Sequence, residues 1–208
     1  MSSEAGPDRS LFLDILRNLE AIDAPYVIIG AFAAAIYGST RATYDIDIVV
    51  DLREDHIRRL AAAYPSPRYY ADPVQMRDSI RMGIMFNIID AWRGEKADLI
   101  PLTMTPWYRH ALRRRVRQEV AQPDGHLLLV WCARPDDVIV GKLMAWQQGR
   151  SQKHASDIRD MLVFHYLNPD APDAAMLDEA YITTQALQLG PDVAGFWKAL
   201  RDSARSEV

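Results

Sequence analysis

The chain has a single cysteine, and this scarcity limits the chemistry that the sequence can support. Cys132 alone can form neither an intramolecular disulfide nor a thiolate-rich zinc site, which agrees with a reducing compartment. The five histidines show neither an HExxH motif nor another ligand spacing, so the sequence predicts no zinc centre. A nucleophile elbow, a P-loop and a dinucleotide-binding fingerprint are also absent. Several common classes of enzyme are thereby set aside.

Long apolar runs are also missing. The longest, Tyr26–Tyr37, is too short for a bilayer, which needs about 20 residues, and residues 1–8 are acidic rather than a basic secretion signal. The 208 residues are 49% hydrophobic, which is typical of a globular protein with one or two compact units. We therefore expect a cytoplasmic protein with no membrane contact.

Acidic residues slightly outnumber basic ones, 28 to 24, but positive charge is concentrated in one place. The formal net charge is −4, which argues against a surface covered with nucleic-acid-binding groups. One short segment is nevertheless densely basic, and it is either a solvated face or a landing site for an RNA acceptor. Its basic residues are Arg109, His110, Arg113, Arg114, Arg115 and Arg117.

The stretch from Tyr26 to Val50 contains two candidate functional features. The first is the start of a helix. Tyr26–Ile29 is short and rich in β-branched residues, so it predicts a buried strand. Gly30 then lets the backbone turn sharply into a small-residue helix. The free N–H groups of Gly30 and Ala31 at that helix start favour a phosphate.

The second candidate feature is a pair of acids, Asp45 and Asp47, on a strand predicted over residues 45–50. Residues i and i+2 of a strand share a face, with roughly 6 to 7 Å between their Cα atoms. Two carboxylates held so close repel unless a cation lies between them, and paired Mg²⁺ ions are a common solution in nucleotidyl transfer. The pair predicts a metal site.

The rest of the chain predicts further strands followed by helices. Runs at 85–89 and 96–100 flank a turn and predict a hairpin that places Asp98 beside the strand of the acid pair. A second predicted hairpin leads out of the core through residues 116–120 and 127–131. Helices are predicted over residues 10–21, 54–63, 73–79, 105–112, 138–147, 153–167, 174–189 and 192–204.

Together these residues resemble the signature of the DNA polymerase beta-like nucleotidyltransferase superfamily. Gly30-Ala31 is followed after thirteen residues by Asp45-Ile46-Asp47-Ile48, and Ala31 stands where the family usually has glycine or serine. The residues just before the acid pair resemble the small prokaryotic branch that includes the AbiEii-type toxins. They are Gly38, Ser39, Arg41 and Thr43.

The resemblance implies a fold and a third acid. It implies an α+β nucleotidyltransferase fold, with a mixed sheet covered by helices and a C-terminal helical region. With a boundary near Arg134, the expected parts are an α/β core over 1–134 and a helical region over 135–208. The family has a third carboxylate on a neighbouring strand, and Asp98 is the residue that fits; Asp90 is the alternative, with capping as its simpler role.

The implied reaction moves a nucleoside monophosphate from a triphosphate, ATP included, to an acceptor hydroxyl. Asp45, Asp47 and Asp98 would bind two Mg²⁺ ions, or Mn²⁺, and Asp98 could also accept the proton of the hydroxyl. Gly30 and Ala31 would hold the nucleotide through their N–H groups.

A helical segment supplies another candidate residue. Lys142 belongs to a pattern, with Lys153, Asp157 and Asp160, that resembles AbiEii-like proteins, and it would neutralise the triphosphate. Asp157 and Asp160 would orient Lys142 or hold helices together. Arg41 would contact phosphate as part of the nucleotide site, or pair with the acids Asp45 and Asp47.

Three functions remain open from the sequence. The first is a transferase acting on RNA or protein, as a component of a toxin–antitoxin pair with a cognate antitoxin as partner. The second, which Ala31 supports, is a non-catalytic nucleotide- or partner-binding module of the same fold. The third is a transferase that modifies a small hydroxylated molecule such as an aminoglycoside.

Overall fold

A computed structural model describes residues 10–43, 45–122 and 125–208, and their contacts divide the chain into two compact units. The first unit contains the described residues up to Ile28 together with Thr43–Cys132. The second unit contains Ile29–Ala42 together with Ala133–Val208. A short early segment therefore groups with the C-terminal part of the chain, and the division into domains at residue 134 stays a prediction.

The first unit is built on a seven-stranded sheet whose order is β3-β4-β5-β2-β1-β7-β6. The strands are β1 Tyr26–Ile29, β2 Asp47–Val50, β3 Tyr69–Tyr70, β4 Phe86–Asp90, β5 Glu95–Pro101, β6 Val116–Ala121 and β7 Leu127–Cys132. β2 runs parallel to β5, and β1 runs parallel to β7. The pairs β3–β4, β4–β5 and β6–β7 are antiparallel. The sheet is therefore mixed, as predicted.

Helices precede, interrupt and follow these strands. In chain order they are α1 Ser10–Ala21, α2 Gly30–Ile36, α3 Glu54–Ala63, α4 Pro73–Met82, α5 Pro106–Arg114, α6 Pro135–Gly149, α7 Gln152–Leu167, α8 Glu179–Leu189 and α9 Pro191–Arg205, with a 3₁₀ turn at Ala174–Met176. The predicted α+β class with a C-terminal helical region is confirmed. Within the described part of the chain, no helix combines the length and apolar character that crossing a membrane requires.

Sequence signals explain where the helices of the first unit begin and end. The apolar face of α1 is fully buried at Ile15, Leu16 and Leu19, which follow helical spacing. At the start of α4, the Asp72 carboxylate accepts a hydrogen bond of 2.7 Å from the backbone N–H of Val74. That helix ends at Gly83, which adopts the left-handed conformation with φ of 65°.

In the second unit, α2 lies with the four C-terminal helices around a separate core. Ile139, Leu143 and Ile158 are completely buried there. Trp197 is also buried, and its indole N–H donates a 2.9 Å hydrogen bond to the hydroxyl of Thr183, so burial leaves this polar atom satisfied.

The structure corrects three details of the predicted elements. β2 begins at Asp47, so Asp45 precedes the strand. The hairpin of β6 and β7 does not lead out of the core, because β7 pairs with β1 within the same sheet. The helix predicted over 174–189 is interrupted, because Asp178 caps a new helix through a 2.9 Å hydrogen bond from the Tyr181 N–H.

Gly38 offers a test of packing in the second unit. Its φ is 97°, and a Cβ atom at this position would clash with the side chain of Phe164. We expect Gly38→Ala to lower the free energy of unfolding by about 2 kcal/mol, because it combines backbone strain with overpacking. Gly149→Ala is the matched control, since a Cβ atom there meets open space. Equal urea midpoints for the two variants would contradict the predicted close packing.

Candidate active site

The strand pairing brings two of the predicted acids together in the first unit. β2 and β5 are parallel neighbours, and Asp47 is the register partner of Asp98. Paired residues of adjacent strands project from the same face of a sheet, so the two carboxylates lie on one side. The backbone N–H of Asp98 also donates to the carbonyl oxygen of Ile46 at 3.2 Å, which extends the pairing beyond the strand.

Asp45, the third acid predicted for the metal site, lies outside the regular part of β2. It is exposed, Ile46 is buried and Asp47 is half-buried, so burial alternates as it does along a strand. This alternation places Asp45 on the same side as Asp47, although the regular strand begins two residues later.

Two residues that the sequence reasoning missed hold the Asp98 carboxylate. The side-chain amide of Asn87, the register partner of Asp98 on β4, donates to Oδ1. The Lys96 ammonium lies 3.3 Å from Oδ1 and 3.4 Å from Oδ2. Lys96 could have been found from its spacing, because residues 96 and 98 share a face of β5. Asn87 could not have been found in this way, because its pairing with Asp98 depends on the exact turn between β4 and β5.

Tyr108 is close enough to Asp47 to feel its charge, which the sequence did not indicate. Burial raises the pKa of the Tyr108 hydroxyl above its usual value, and the negative charge of Asp47 adds to this effect. The phenol therefore stays protonated at neutral pH and can donate a hydrogen bond.

The carboxylate oxygens of Asp47 and Asp98 suit a hard divalent cation. Among residues 10–43, 45–122 and 125–208, no group of three or more His, Cys, Asp or Glu side chains is arranged to hold a metal ion. Mg²⁺, however, usually binds through one or two carboxylates together with water and substrate phosphates. Asp47 and Asp98 supply two carboxylates from paired positions, so these residues fit that mode of binding.

A second cluster of charge surrounds Asp157 in the second unit. The Asp157 side chain is buried, with 1% of its surface exposed. Lys142 donates to its Oδ2 at 2.5 Å, and Arg41 reaches both oxygens, with Nε 3.0 Å from Oδ1 and Nη2 3.1 Å from Oδ2. The hydroxyl of Ser39 donates to Oδ1 at 3.0 Å. One buried carboxylate thus organises two cations from different helices and loops.

The pKa shifts in this cluster follow from its hydrogen bonds. Burial by itself would raise the pKa of the Asp157 carboxyl, but hydrogen bonds from Arg41 and Lys142 outweigh burial and lower it. The same hydrogen bond from Arg41 raises the pKa of its guanidinium. Burial lowers the pKa of His154, and the positive charges of Lys142 and Lys153 lower it further.

The structure places the remaining predicted residues as follows. Gly30 opens α2 with φ of 71°, and Ala31 follows it in the first turn, so the predicted helix start is confirmed. Arg41 pairs with Asp157 rather than with the acids Asp45 and Asp47, which corrects that alternative. The predicted role of Asp157 in orienting Lys142 agrees with their contact. The roles of Gly30, Ala31, Arg41 and Lys142 toward a nucleotide stay predictions.

Asp90, the alternative third acid, has a structural role. Its carboxylate binds Arg68, with 2.7 Å between Oδ2 and Nη2, and accepts the backbone N–H groups of Trp92 and Arg93. The hydrogen bond from Arg68 lowers the pKa of Asp90. This side chain closes the turn between β4 and β5.

The basic segment divides into two kinds of residue. Arg115 and Arg117 stack on the Trp131 ring, at 4.5 and 4.0 Å from its centroid, and Arg117 also pairs with Glu20. Arg109 and Arg113 are exposed on α5, one helical turn apart. Only part of the segment is therefore available to an acceptor.

Comparisons with known proteins give structural likeness only. No protein-family model and no curated protein sequence matches the chain. An antigenic nucleotidyltransferase-like protein from Paracoccidioides brasiliensis aligns with a TM-score of 0.47 and 15% identity over 92% of each chain. The antibiotic-resistance factor ANT(2'')-Ia aligns with a TM-score of 0.42 and 17% identity over 95% of this chain and 91% of that chain. JHP933 from Helicobacter pylori aligns with a TM-score of 0.40 and 14% identity over 98% and 96% of the two chains. At these TM-scores the likeness assigns no activity, substrate or residue role.

Replacing Asp157 tests the buried cluster. We expect Asp157→Asn to lower the free energy of unfolding by about 3 kcal/mol at pH 7, because Lys142 would lose its buried carboxylate partner. Asp160→Asn is the control, since an asparagine oxygen can still accept from Thr40, and its effect should stay below about 1 kcal/mol. Urea unfolding measures both.

Asp157→Asn also tests how the stability of the folded protein depends on pH. Because the folded-state pKa of Asp157 is lowered, its stabilising effect is complete above the unfolded-state pKa of about 3.9 and is lost as the pH falls through the folded-state pKa. The difference in stability between wild type and Asp157→Asn should therefore shrink in acid. A difference that is constant from pH 7 to pH 3 would contradict this assignment.

Proposed function

We propose that this protein is a metal-dependent nucleotidyltransferase, which moves a nucleoside monophosphate from a nucleoside triphosphate to an acceptor hydroxyl. The observation that carries the proposal is the pairing of Asp47 with Asp98 on adjacent parallel strands. The spacing of Asp45 two residues earlier and the glycine-led start of α2 support it. These features follow the order of the superfamily signature, and the nucleotidyltransferase fold is part of the proposal.

Each acid has a stated role in this reaction. Asp47 and Asp98 would hold Mg²⁺ or Mn²⁺, with Asp45 as a further ligand. When bound, the ions would neutralise charge on the triphosphate and lower the pKa of the acceptor hydroxyl. Asp98 would accept the proton of that hydroxyl, since Asn87 and Lys96 fix the direction of its carboxylate.

The bond changes follow an in-line displacement. The acceptor oxygen forms a bond to the α-phosphorus, the bond from that phosphorus to the β-phosphate oxygen breaks, and pyrophosphate leaves with the electron pair. The hydroxyl proton passes to Asp98. Gly30, Ala31, Arg41 and Lys142 are the proposed contacts of the triphosphate, on the basis of the sequence.

The acceptor and the cellular role are finer proposals. An RNA or protein acceptor fits the exposed Arg109 and Arg113, which can bind phosphates or acidic side chains. Membership of the AbiEii-type branch, with a cognate antitoxin, rests on the resemblance around Arg41. A small hydroxylated acceptor and a non-catalytic binding role are the competing functions.

A transfer assay with labelled nucleoside triphosphates tests the proposal. Label is followed into RNA, protein and small-molecule fractions of a cell extract, with Mg²⁺ and with a chelator. We expect Asp47→Asn to reduce transfer about 1,000-fold, because several kcal/mol of charge stabilisation are lost with the ligand.

The matched control is Asp51→Asn, because Asp51 is an exposed acid that follows the same strand. This variant should transfer label at the wild-type rate. Undiminished transfer by Asp47→Asn would reject the catalytic assignment. The non-catalytic module would be favoured by a different result. In that case the protein would bind nucleotide in the presence of Mg²⁺ but release no pyrophosphate with any of the fractions as acceptor.

Lys96 gives a second prediction, with ion binding as its measurement. Its ammonium contacts both oxygens of Asp98, so it competes with a divalent ion for that carboxylate. We expect Lys96→Met to bind Mn²⁺ about fivefold more tightly in calorimetry, since like charges about 4 Å apart repel by about 1 kcal/mol in water. Lys96→Arg keeps the charge and should bind as wild type does. Weaker Mn²⁺ binding by Lys96→Met would contradict this role.

A further inference from the structure

The sheet of the first unit ends on one side in an open strand. β6 is the last strand in the sheet order, and among the described residues β7 is its one strand neighbour. The six residues of β6 pair with β7 in an unbroken register, so no bulge bends this edge away. β6 also lacks proline and lysine, which commonly protect an edge, whereas β3 at the opposite edge is only two residues long. An open edge of this length is a template for pairing with another chain.

The hairpin of β6 and β7 determines which backbone groups face the open edge. The N–H of Gln122 donates to the carbonyl oxygen of His126 at 2.8 Å, so these opposite residues form a hydrogen-bonded pair. Such pairs alternate along an antiparallel ladder, and the register therefore turns the backbone groups of the even-numbered residues of β6 toward β7. The N–H and carbonyl groups of Arg117 and Glu119 point to the open edge.

The sequence of β6 is complementary to a second copy of itself. The segment Val116–Val120 reads Val-Arg-Gln-Glu-Val, so the residues on either side of Gln118 match in polarity and are opposite in charge. Two copies that run antiparallel about Gln118 place Arg117 of each copy opposite Glu119 of the other. These are the residues whose backbone groups face the open edge, so the same register satisfies backbone and side chains.

The charged side chains of this edge lie at the surface. Glu119 is exposed, and none of the described residues forms an ion pair with it. Arg117 is exposed too, and it binds Glu20 through Nη1 and Nη2, with a further hydrogen bond from Nη1 to the carbonyl oxygen of Leu129. Within the described part of the chain these hydrogen bonds do not use Nε of Arg117. A second copy would supply a carboxylate for Nε and a cation for Glu119.

We propose that two copies of this protein associate through β6, in an antiparallel pairing about Gln118. Each Arg117 exchanges backbone hydrogen bonds with Glu119 of the other copy, and the two side chains form an ion pair. The two sheets join into one continuous sheet. Because the contact between two short strands is small, the dimer is in equilibrium with the monomer.

Sedimentation velocity of the full chain from about 1 to about 300 μM tests the proposal, since a small interface gives a weak dimer. We expect the share of wild-type dimer to rise over this range. Glu119→Arg should weaken dimerisation about 30-fold, because two contacts between opposite charges become contacts between like charges. Asp51→Arg is the matched control, since it makes the same change of charge at an exposed acid outside β6. It should dimerise as the wild type does.

Two results of this experiment would overturn the proposal. One is a wild-type protein that stays monomeric over the whole range. The other is a Glu119→Arg variant that dimerises as strongly as Asp51→Arg. Both variants should melt at the wild-type temperature at low concentration, because neither acid has an ion-pair partner among the described residues.

A cysteine at the centre of the pairing gives a second test that does not depend on charge. Gln118 would face its own copy in a non-hydrogen-bonded pair, whose Cα atoms lie about 4.5 Å apart, a distance that a disulfide spans. Gln118→Cys should therefore form a disulfide-linked dimer in air, while Ala121→Cys should not, because residue 121 does not face itself. Cys132 is buried and should not react. Equal cross-linking of the two variants would overturn the proposed pairing, and neither result would bear on nucleotidyl transfer.

Discussion

The parallel pairing of β2 with β5 determines where the acids of the first unit stand. Its register is enforced by the residues that follow the acids, because Ile48 and its partner Leu99 are completely buried. A slip of one residue would turn every side chain of a strand to the opposite face. It would move the half-buried carboxylate of Asp47 to a fully buried position and bring Ile48 to the half-buried one, and both changes cost free energy. The hydrophobic core therefore specifies the relative position of two residues that it does not contain.

The second unit depends on charge in a different way. Burying a carboxylate is unfavourable unless hydrogen bonds and opposite charges offset the loss of water. Asp157 meets this requirement with three donors, two of them cationic, and its lowered pKa shows that these donors outweigh burial. The cluster carries a net positive charge from Arg41 and Lys142.

Local patterns in the sequence were sufficient to predict most helices and strands. They were not sufficient to predict which distant strands and side chains pair. The bounds of α1, β1 and α3 coincide with those predicted, because apolar spacing and turn residues act within a few positions. The hairpin of β4 and β5, which carries Asp98, was also predicted, since a hairpin is a local structure. The pairing of Asp98 with Asp47, by contrast, joins strands that are distant in the sequence. The partner of Arg41 lies 116 residues further along the chain, and the pairing of β7 with β1 links distant strands. Short-range signals carry no information on such contacts. Lys96 is different, because its position two residues before Asp98 on β5 is a short-range signal.

The grouping of Ile29–Ala42 with the C-terminal helices has a consequence for biosynthesis. The chain emerges from the ribosome with its amino end first, at about 5–20 residues per second. Arg41 is therefore exposed to solvent for several seconds before Asp157 has been made, and the segment around it has no native partner during that interval. The sheet strands between them can pair first. Completion of the second unit is thus a late event, and a nascent chain that is cut short before Asp157 would carry an arginine without its carboxylate partner.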